Sequence, residues 1–287
     1  MKRPTVATLG AAVTFIVAVS LLIGLALRPD DTAGPCVLVI GPVMLPEIPE
    51  SSGLAISRRD PRLIWSHNDS GHETVLFALA ADGSIRGRVR VPIRTADWED
   101  ISAAPCPPND CLYIADIGDN GLRRQRVQIY RVREPAPGDS KTDAPEIFNA
   151  SYVDGAHNAE AMFVVAADLF IVTRDRIGTI YGSSLDGSRD LTFRPIGQLG
   201  LAAVTDAETS RDGKFVVVRT SHEAVLYITA DLIQGRTIPY LRIPIEGLRE
   251  AQGEGIALDG RMLYLSSEGR PWNRAGRLLA LQCAIAQ

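Results

Sequence analysis

The sequence predicts an all-β protein: a five-bladed β-propeller closed by an N-terminal strand and preceded by one N-terminal transmembrane helix. The main observation is a pattern that occurs five times, in which a polar residue leads into a short apolar strand, a turn and a second apolar strand. The equivalent polar residues are Ser52, Glu99, Glu160, Thr205 and Glu254, so the steps are 47, 61, 45 and 49 residues. A repeat of about this length, with four strands per unit, is typical of a propeller blade.

Tight turns separate the strands within each repeat. Asp-Gly pairs at 82–83, 186–187, 212–213 and 259–260 mark hairpins, because such turns need residues that adopt positive φ. The only long loop spans 134–146, is rich in Pro, Gly, Asp and Ser, and accounts for the 61-residue step. An irregular blade within 120–150 would instead give six blades, which is the alternative.

The two ends of the globular part are predicted to pair with each other. The fifth repeat lacks a fourth strand, and the strand that begins at Cys36 supplies it, which leaves no open edge. This pairing places Cys36 beside Cys283, while Cys106 and Cys111 flank a turn. The sequence therefore predicts the disulfides Cys36–Cys283 and Cys106–Cys111, which an oxidising exterior permits. The alternative is four free, buried thiols.

The N-terminal segment differs from the rest of the chain. Residues 1–3 are basic at two positions, and residues 7–27 carry no charge, which is long enough for a membrane-spanning helix. The basic residues before this segment and the acidic ones after it place the following chain on the extracytoplasmic side of the cell membrane. We divide the chain into an anchor or signal segment (1–28), a linker (29–35) and the propeller (36–287). The alternative is a cleaved signal peptide and secretion.

The composition is that of an ordinary globular protein. Hydrophobic residues make up 46% of the 287 residues and charged ones 22%, which is enough apolar material for a large core. The net charge is −4, so the chain has no electrostatic reason to bind nucleic acid. We expect no nucleic-acid partner and a monomeric protein.

Carboxylates are concentrated where a propeller would have its central opening, called the mouth here. In this fold, the starts of the innermost strands and the ends of the second strands converge at one end of the axis. Like charges packed there repel unless a cation, a proton or an arginine neutralises them, and Ca²⁺ takes six to eight oxygen ligands. The predicted metal ligands are the acidic residues Glu99, Asp116, Glu160 and Glu254, with Asn68, Asp119 and Asn158 as secondary oxygen donors.

Other interpretations of the mouth stay open. Arg174, Arg219 and Arg270 would instead pair with the carboxylates or bind an anionic group. A calcium-assisted phosphoesterase or lactonase-like hydrolase would activate water with the cation, and His67 or His157 would be its general base. A non-catalytic scaffold would use the rim of the mouth to bind a protein, and a small ligand is the remaining candidate partner.

Several motifs resemble those of bacterial extracytoplasmic propellers. They are Glu-Ser-Ser-Gly-Leu-Ala (50–55), Trp-Ser-His-Asn-Asp-Ser-Gly (65–71), Asp-Trp-Glu-Asp-Ile (97–101), Asp-Ile-Gly-Asp-Asn (116–120), His-Asn-Ala-Glu-Ala (157–161) and Gly-Glu-Gly-Ile-Ala (253–257). On these motifs, residues 50–270 look similar to TolB-like and phytase-like propellers of the SdiA-regulated type. The resemblance implies a propeller that holds Ca²⁺ or another ligand at its mouth. The sequence lacks the dense Lys/Arg cluster of a phytase, and its fourth repeat (205–208) places the acidic residue out of register.

Overall fold

The computed structural model describes residues 32–269 and 275–285. Over these residues the protein is all-β apart from two helices of a single turn. The predicted membrane anchor, residues 7–27, lies outside the described residues. In the part of the chain that is described, no helix is both long and apolar enough to cross a bilayer.

Most of the described chain forms antiparallel meanders of four strands. Two strands come first: β1 (Thr32–Ala33) and β2 (Cys36–Leu45). The first meander comprises β3 (Ser51–Ile56), β4 (Leu63–Asn68), β5 (Val75–Ala80) and β6 (Ile85–Arg90). The second comprises β7 (Asp100–Cys106), β8 (Asn109–Asp116), β9 (Val127–Arg133) and β10 (Glu146–Tyr152). The third comprises β11 (Ala159–Val165), β12 (Asp168–Thr173), β13 (Thr179–Ser184) and β14 (Asp190–Gln198).

The remaining strands complete the chain. The fourth meander comprises β15 (Val204–Thr209), β16 (Phe215–Thr220), β17 (Glu223–Ile228) and β18 (Leu241–Pro244). The helix α1 (Thr229–Leu232) follows β17, and a 3-10 helix (Glu246–Leu248) follows β18. The closing meander comprises β19 (Gln252–Asp259), β20 (Met262–Glu268) and β21 (Gly276–Cys283), with β2 as its fourth strand and the short β1 paired outside β2.

The meanders are arranged around a central axis. The innermost strands β3, β7, β11, β15 and β19 each contact the next, and β19 returns to contact β3. This closed order, with each meander extending outward from the axis, defines a β-propeller. The second and third meanders also share one eight-stranded sheet, because their outer strands β10 and β14 pair in parallel.

Strands β2 and β21 close the propeller as predicted. Strand β2 pairs antiparallel with β21, and Cys36 lies opposite Cys283, to which it is disulfide-bonded. The second disulfide, Cys106–Cys111, bridges the hairpin between β7 and β8. Both predicted disulfides are confirmed.

The hydrophobic core lies between neighbouring meanders. Val216 and Val218 of β16 pack in the cluster shared with the third meander, whereas Val217 packs in the cluster shared with the closing meander. All three are fully buried. A strand that is covered on both faces needs a continuous apolar run rather than an alternating one, which explains why the second strand of each repeat is so apolar.

The long loop after β9 is attached to the first meander. Glu134 is buried and accepts hydrogen bonds from the Trp65 indole (2.9 Å) and the Arg58 backbone amide (3.1 Å). These bonds stabilise a loop that supplies the extra length of the second repeat.

Candidate metal centre at the propeller mouth

A β-bulge lies at the mouth end of four of the innermost strands. The pairing register shifts between Ser51 and Leu54, Ala159 and Ala161, Val204 and Asp206, and Gly253 and Ile256. Inside these shifts lie the repeat-equivalent residues Ser52, Glu160, Thr205 and Glu254. A bulge leaves its extra residue out of the ladder and re-aims the side chain. The repeated polar position is therefore the position at which the backbone departs from regular pairing.

Three carboxylates meet at the mouth. One carboxylate oxygen from each of Asp69, Asp97 and Glu99 lies within 4.8 Å of the other two. Asp69 directly follows β4, whereas Asp97 and Glu99 directly precede β7, so the first and second meanders both contribute. Glu99 is only 7% exposed. The arrangement places hard oxygen ligands from two meanders around one point.

Glu254 joins this group from the closing meander. It is 5% exposed, and its Oε1 atom is buried without a hydrogen-bond partner among the described residues. Its charge acts on Glu99, and the charge of Asp69 acts on it. We call Asp69, Asp97, Glu99 and Glu254 the mouth cluster. A buried carboxylate oxygen without a donor is costly unless it is protonated or bound to a cation.

Burial and mutual repulsion raise the pKa values at the mouth. Removal from water, followed by the charges of Asp69, Asp97 and Glu254, raises the pKa of Glu99 to about 9. Burial is also the main cause of the raised pKa values of Asp69 and Glu254. Glu268, at the end of β20, has a pKa raised to about 7 by burial and then by Glu254 and Asp69. At neutral pH Glu99 therefore holds a proton, which a bound cation would displace.

Two of the arginines expected at the mouth pair with glutamates outside the mouth cluster. Arg174 forms an ion pair with Glu160, and its charge partly offsets the raised pKa of Glu99. Arg219 is fully buried and forms an ion pair with Glu250. It also donates to the carbonyl oxygen of Gly255 (2.7 Å). Arginine pairing, one of the predicted solutions to the crowding, thus applies to Glu160 and Glu250. Arg270 lies outside the described residues.

Asp116, a predicted acidic ligand, and Asp119, a predicted secondary donor, are engaged by the protein itself. Asp116 accepts hydrogen bonds from the backbone amides of Ala96 (3.0 Å) and Asp97 (2.8 Å) and pairs with Arg124 (2.9 Å). Asp119 accepts the backbone amide of Arg124 (2.7 Å). Both carboxylates hold the loops that form one wall of the mouth, and their role as metal ligands stays a prediction.

The two predicted asparagine donors are also engaged. The side-chain oxygen of Asn158 accepts the Asp119 backbone amide (2.7 Å), and its amide group donates to the side chain of Asn120 (3.2 Å). The side-chain oxygen of Asn68 accepts the Glu50 backbone amide (3.1 Å). The predicted ligands that come together are therefore Glu99 and Glu254. Asp69 and Asp97, which adjoin predicted residues, were not among the predicted ligands.

A glycine lines the cluster closely. A Cβ atom on Gly118 would lie 2.5 Å from Asp97 Oδ2 and would overlap Glu99 Oε1. Real Cβ atoms do not approach other atoms this closely, so only glycine fits beside the two carboxylates without a shift.

A second group of carboxylates lies deeper along the axis. Asp100, Asp206 and Glu208 are almost completely buried and are called the inner cluster. Asp100 and Asp206 occupy equivalent repeat positions, one residue beyond Glu99 and Thr205. Burial raises the pKa of each of the three carboxyl groups.

The inner cluster binds the backbone of other innermost strands. Asp206 Oδ2 accepts the amides of Leu54 (3.3 Å) on β3 and Ile256 (2.5 Å) on β19. Asp100 Oδ2 accepts the amide of Met162 (2.6 Å) on β11. Glu208 accepts the amide of Ala103 (3.1 Å) and the hydroxyl of Ser102 (2.5 Å), both on β7. These bonds link β15 to β3, β7 and β19 and link β7 to β11, so they involve all five innermost strands.

The two candidate general bases occupy different environments. His67 is fully buried against Trp98, at 4.3 Å between ring centroids, and burial lowers its pKa to about 4. His157 is half-buried, and its Nε2 atom lies 3.0 Å from Asp154 Oδ1 and 2.9 Å from the Tyr181 hydroxyl. Catalytic roles for these histidines stay predictions.

Comparison with known proteins gives only weak likenesses. No family model matches the sequence, and no curated protein matches it. Among solved structures, a gluconolactonase of Xanthomonas campestris is 11% identical over 86% of this chain and 89% of its own, with a TM-score of 0.47. A chain of the mitotic checkpoint complex is 11% identical over 96% of this chain and 71% of its own, with a TM-score of 0.38. The Dos1 propeller is 9% identical over 72% and 50%, with a TM-score of 0.37. The assignment as a β-propeller therefore rests on the strand order of this protein.

Proposed function

We propose that this protein is a propeller whose mouth binds a divalent cation, Ca²⁺, through the mouth cluster. The observation that carries the proposal is the convergence of Asp69, Asp97 and Glu99 oxygen atoms within 4.8 Å. The buried, unpartnered Oε1 atom of Glu254 is a second, independent support. Four carboxylates from three meanders offer the hard, flexible oxygen ligands that calcium prefers.

The electrostatics agree with a cation rather than an anion. Arg174, whose charge acts on Glu99, is already paired with Glu160, and burial leaves Glu99 with a pKa of about 9. A divalent cation would neutralise the repulsion that raises this pKa and would take the place of the proton. The remaining coordination positions would be filled by water, by a small ligand or by a group of a partner protein.

Calorimetric titration tests the proposal. The full-length protein is purified in detergent, stripped with a chelator and titrated with CaCl₂, with thermal melts alongside. We expect binding, a raised melting temperature, and loss of both in the double variant Asp69→Asn/Asp97→Asn. Asp186→Asn, in an exposed hairpin, is the matched control and should bind normally. Absence of heat and of any melting shift in the unsubstituted protein would overturn the proposal.

We propose cation binding without a bond-breaking step. A hydrolase would need a general base beside the cation. His67 is enclosed against Trp98, and His157 is paired with Asp154 and Tyr181, so neither histidine supports that role. A pure scaffold, the third hypothesis, would give no calcium response in the titration.

We also propose the finer features expected from the sequence. Five blades are supported by the five innermost strands that contact in cyclic order. Membership of the TolB-like or phytase-like extracytoplasmic propellers is supported by the motifs alone. Extracytoplasmic location and attachment through residues 7–27 are supported by the uncharged segment and by the two disulfides. A net charge of −4 supports a protein that does not bind nucleic acid, and we propose a monomer.

A further inference from the structure

We propose that Asp116 and Arg124 are positioning residues for the cation site: they hold Asp97 and Gly118 in place without touching the cation. The inference rests on the proposed function and names residues that would set the affinity of the same site. It reassigns Asp116 from a direct metal ligand to the support of one.

Asp116 fixes the backbone on which Asp97 stands. Its carboxylate is 1% exposed and accepts the consecutive amides of Ala96 (3.0 Å) and Asp97 (2.8 Å). Two amides bound to one carboxylate leave the short segment before β7 little freedom to rotate. The direction of the Asp97 side chain is therefore set from the end of β8.

Arg124 joins the same carboxylate to the glycine that faces the cluster. Its guanidinium group pairs with the Asp116 carboxylate (2.9 Å) and donates to the carbonyl oxygen atoms of Asp116 (3.1 Å) and Gly118 (2.7 Å). A planar fork with several donors suits such a bridge, which a lysine ammonium cannot reproduce. The bridge fixes residues 116–118 as one wall of the site.

The loop that contains Gly118 also contacts the backbone of Asp97 directly. The Gly118 amide donates to the carbonyl oxygen of Asp97 (3.1 Å), and a Cβ atom on Gly118 would overlap Glu99 Oε1. A small shift of this wall would therefore move two members of the mouth cluster. Asp119 and Asn158 anchor the far end of the loop to the third meander through the Asp119 amide (2.7 Å).

The direction in which one substitution changes the calcium affinity distinguishes a positioning role from a purely electrostatic one. Removing a nearby positive charge should strengthen cation binding if Arg124 acts only through its field. If Arg124 positions the wall, Arg124→Gln should instead weaken binding of Ca²⁺, by about tenfold or more, because the ligands are no longer held together. The two accounts predict opposite changes in Kd.

The experiment is calcium titration of the full-length protein in detergent. Arg124→Gln and Arg124→Lys are compared with Arg123→Gln. The Arg123 side chain is exposed and carries the same charge one residue earlier in the chain. We expect weaker binding in both Arg124 variants and unchanged or tighter binding in Arg123→Gln. If Arg124→Gln does not fold, Arg124→Lys, which keeps the charge but not the fork, decides the question.

The outcomes are distinguishable from failure of the proposed function. Absence of calcium binding in the unsubstituted protein would overturn the cation site and this inference together. Calcium binding that both Arg124 variants leave unchanged or strengthen would overturn only the positioning role. Weaker binding in Arg123→Gln, equal to that in Arg124→Gln, would also overturn it, because the effect would then not depend on the bridge.

Discussion

The mouth cluster and the inner cluster contain the same kinds of side chain but differ in their hydrogen-bond donors. Five of the six carboxylate oxygen atoms of the inner cluster accept hydrogen bonds from backbone amides or a hydroxyl group. In the mouth cluster two donors are found among the described residues: the backbone amide of Ser70 binds Asp69, and the side chain of Gln252 binds Glu254. Both clusters are acidic, and burial raises the pKa values of Asp69, Glu99 and Glu254 as it does those of the inner cluster.

The difference separates structural carboxylates from candidate ligands. The inner carboxyl groups, most of whose oxygen atoms accept hydrogen bonds, join strands and offer fewer free lone pairs to a cation. A group with unfilled oxygen atoms and like-charged neighbours is destabilising by itself and gains from a cation. Acidic residues alone therefore do not identify a metal site along a propeller axis. Acidic residues that lack hydrogen-bond donors do favour a metal site.

Loss of an inner carboxylate should have the largest effect on stability. Asp206→Ala leaves the amides of Leu54 and Ile256 without their acceptor, which should lower the free energy of unfolding by about 3 kcal/mol. Urea denaturation in the presence of chelator measures this change. Glu99→Gln is the matched variant at the mouth and should cost nothing or stabilise, because it removes a group whose pKa is raised. Equal losses in both variants would break the distinction between the clusters.

The pH dependence of calcium affinity should sharpen the comparison. The pKa of Glu99 is about 9 in the folded protein, above its ordinary value of 4.5, so the folded state binds more protons across that window. Stability in chelator should therefore fall as the pH rises through the window, and calcium should restore it. Apparent affinity should rise by up to about tenfold per pH unit while one proton is displaced. Titrations at pH 6, 7 and 8 check this, and a flat profile would contradict it.

A smaller effect is expected from filling the space beside the mouth cluster. Gly118→Ala should weaken calcium binding by about tenfold, roughly 1.4 kcal/mol, because its Cβ atom displaces Asp97 and Glu99. Gly121→Ala is the control, since the atoms nearest its Cβ belong to the side chain of Arg123 at 3.5 Å or more. Calorimetry on both variants tests the close approach, and normal affinity in Gly118→Ala would show that the wall adjusts freely.

Much of the fold could be predicted because periodicity is a property of the sequence itself. The five repeat-equivalent residues, the closure by β2 and both disulfides followed from strand order and turn residues. The bulges could not be predicted, because a bulge is a change of pairing register between two strands. Because of these bulges, the equivalent residues Glu160 and Glu254 lie outside the regular pairing of their strands.

The division of the carboxylates into a mouth cluster and an inner cluster could not be predicted from the sequence. From the sequence, Asp206 and Glu208 are expected at the mouth, with the acidic residue of their repeat out of register. In the structure they are buried further along the propeller axis and accept hydrogen bonds there. One signal was present: the position equivalent to Asp206 is Asp100 in the second repeat and Gly53 in the first, and a Cβ atom on Gly53 would overlap the Asp100 carboxylate. Partners such as the amide of Ala96 for Asp116 depend on loop conformation, which spacing does not reveal.

The most direct test of the central claim is a crystal structure of the protein soaked with Ca²⁺, with anomalous scattering to locate the ion. We predict one peak about 2.3–2.6 Å from carboxylate oxygen atoms of Asp69, Asp97 and Glu99, with Arg124 still bridging Asp116 and Gly118. A peak beside Asp100 and Asp206, or no peak at the mouth at saturating calcium, would contradict it.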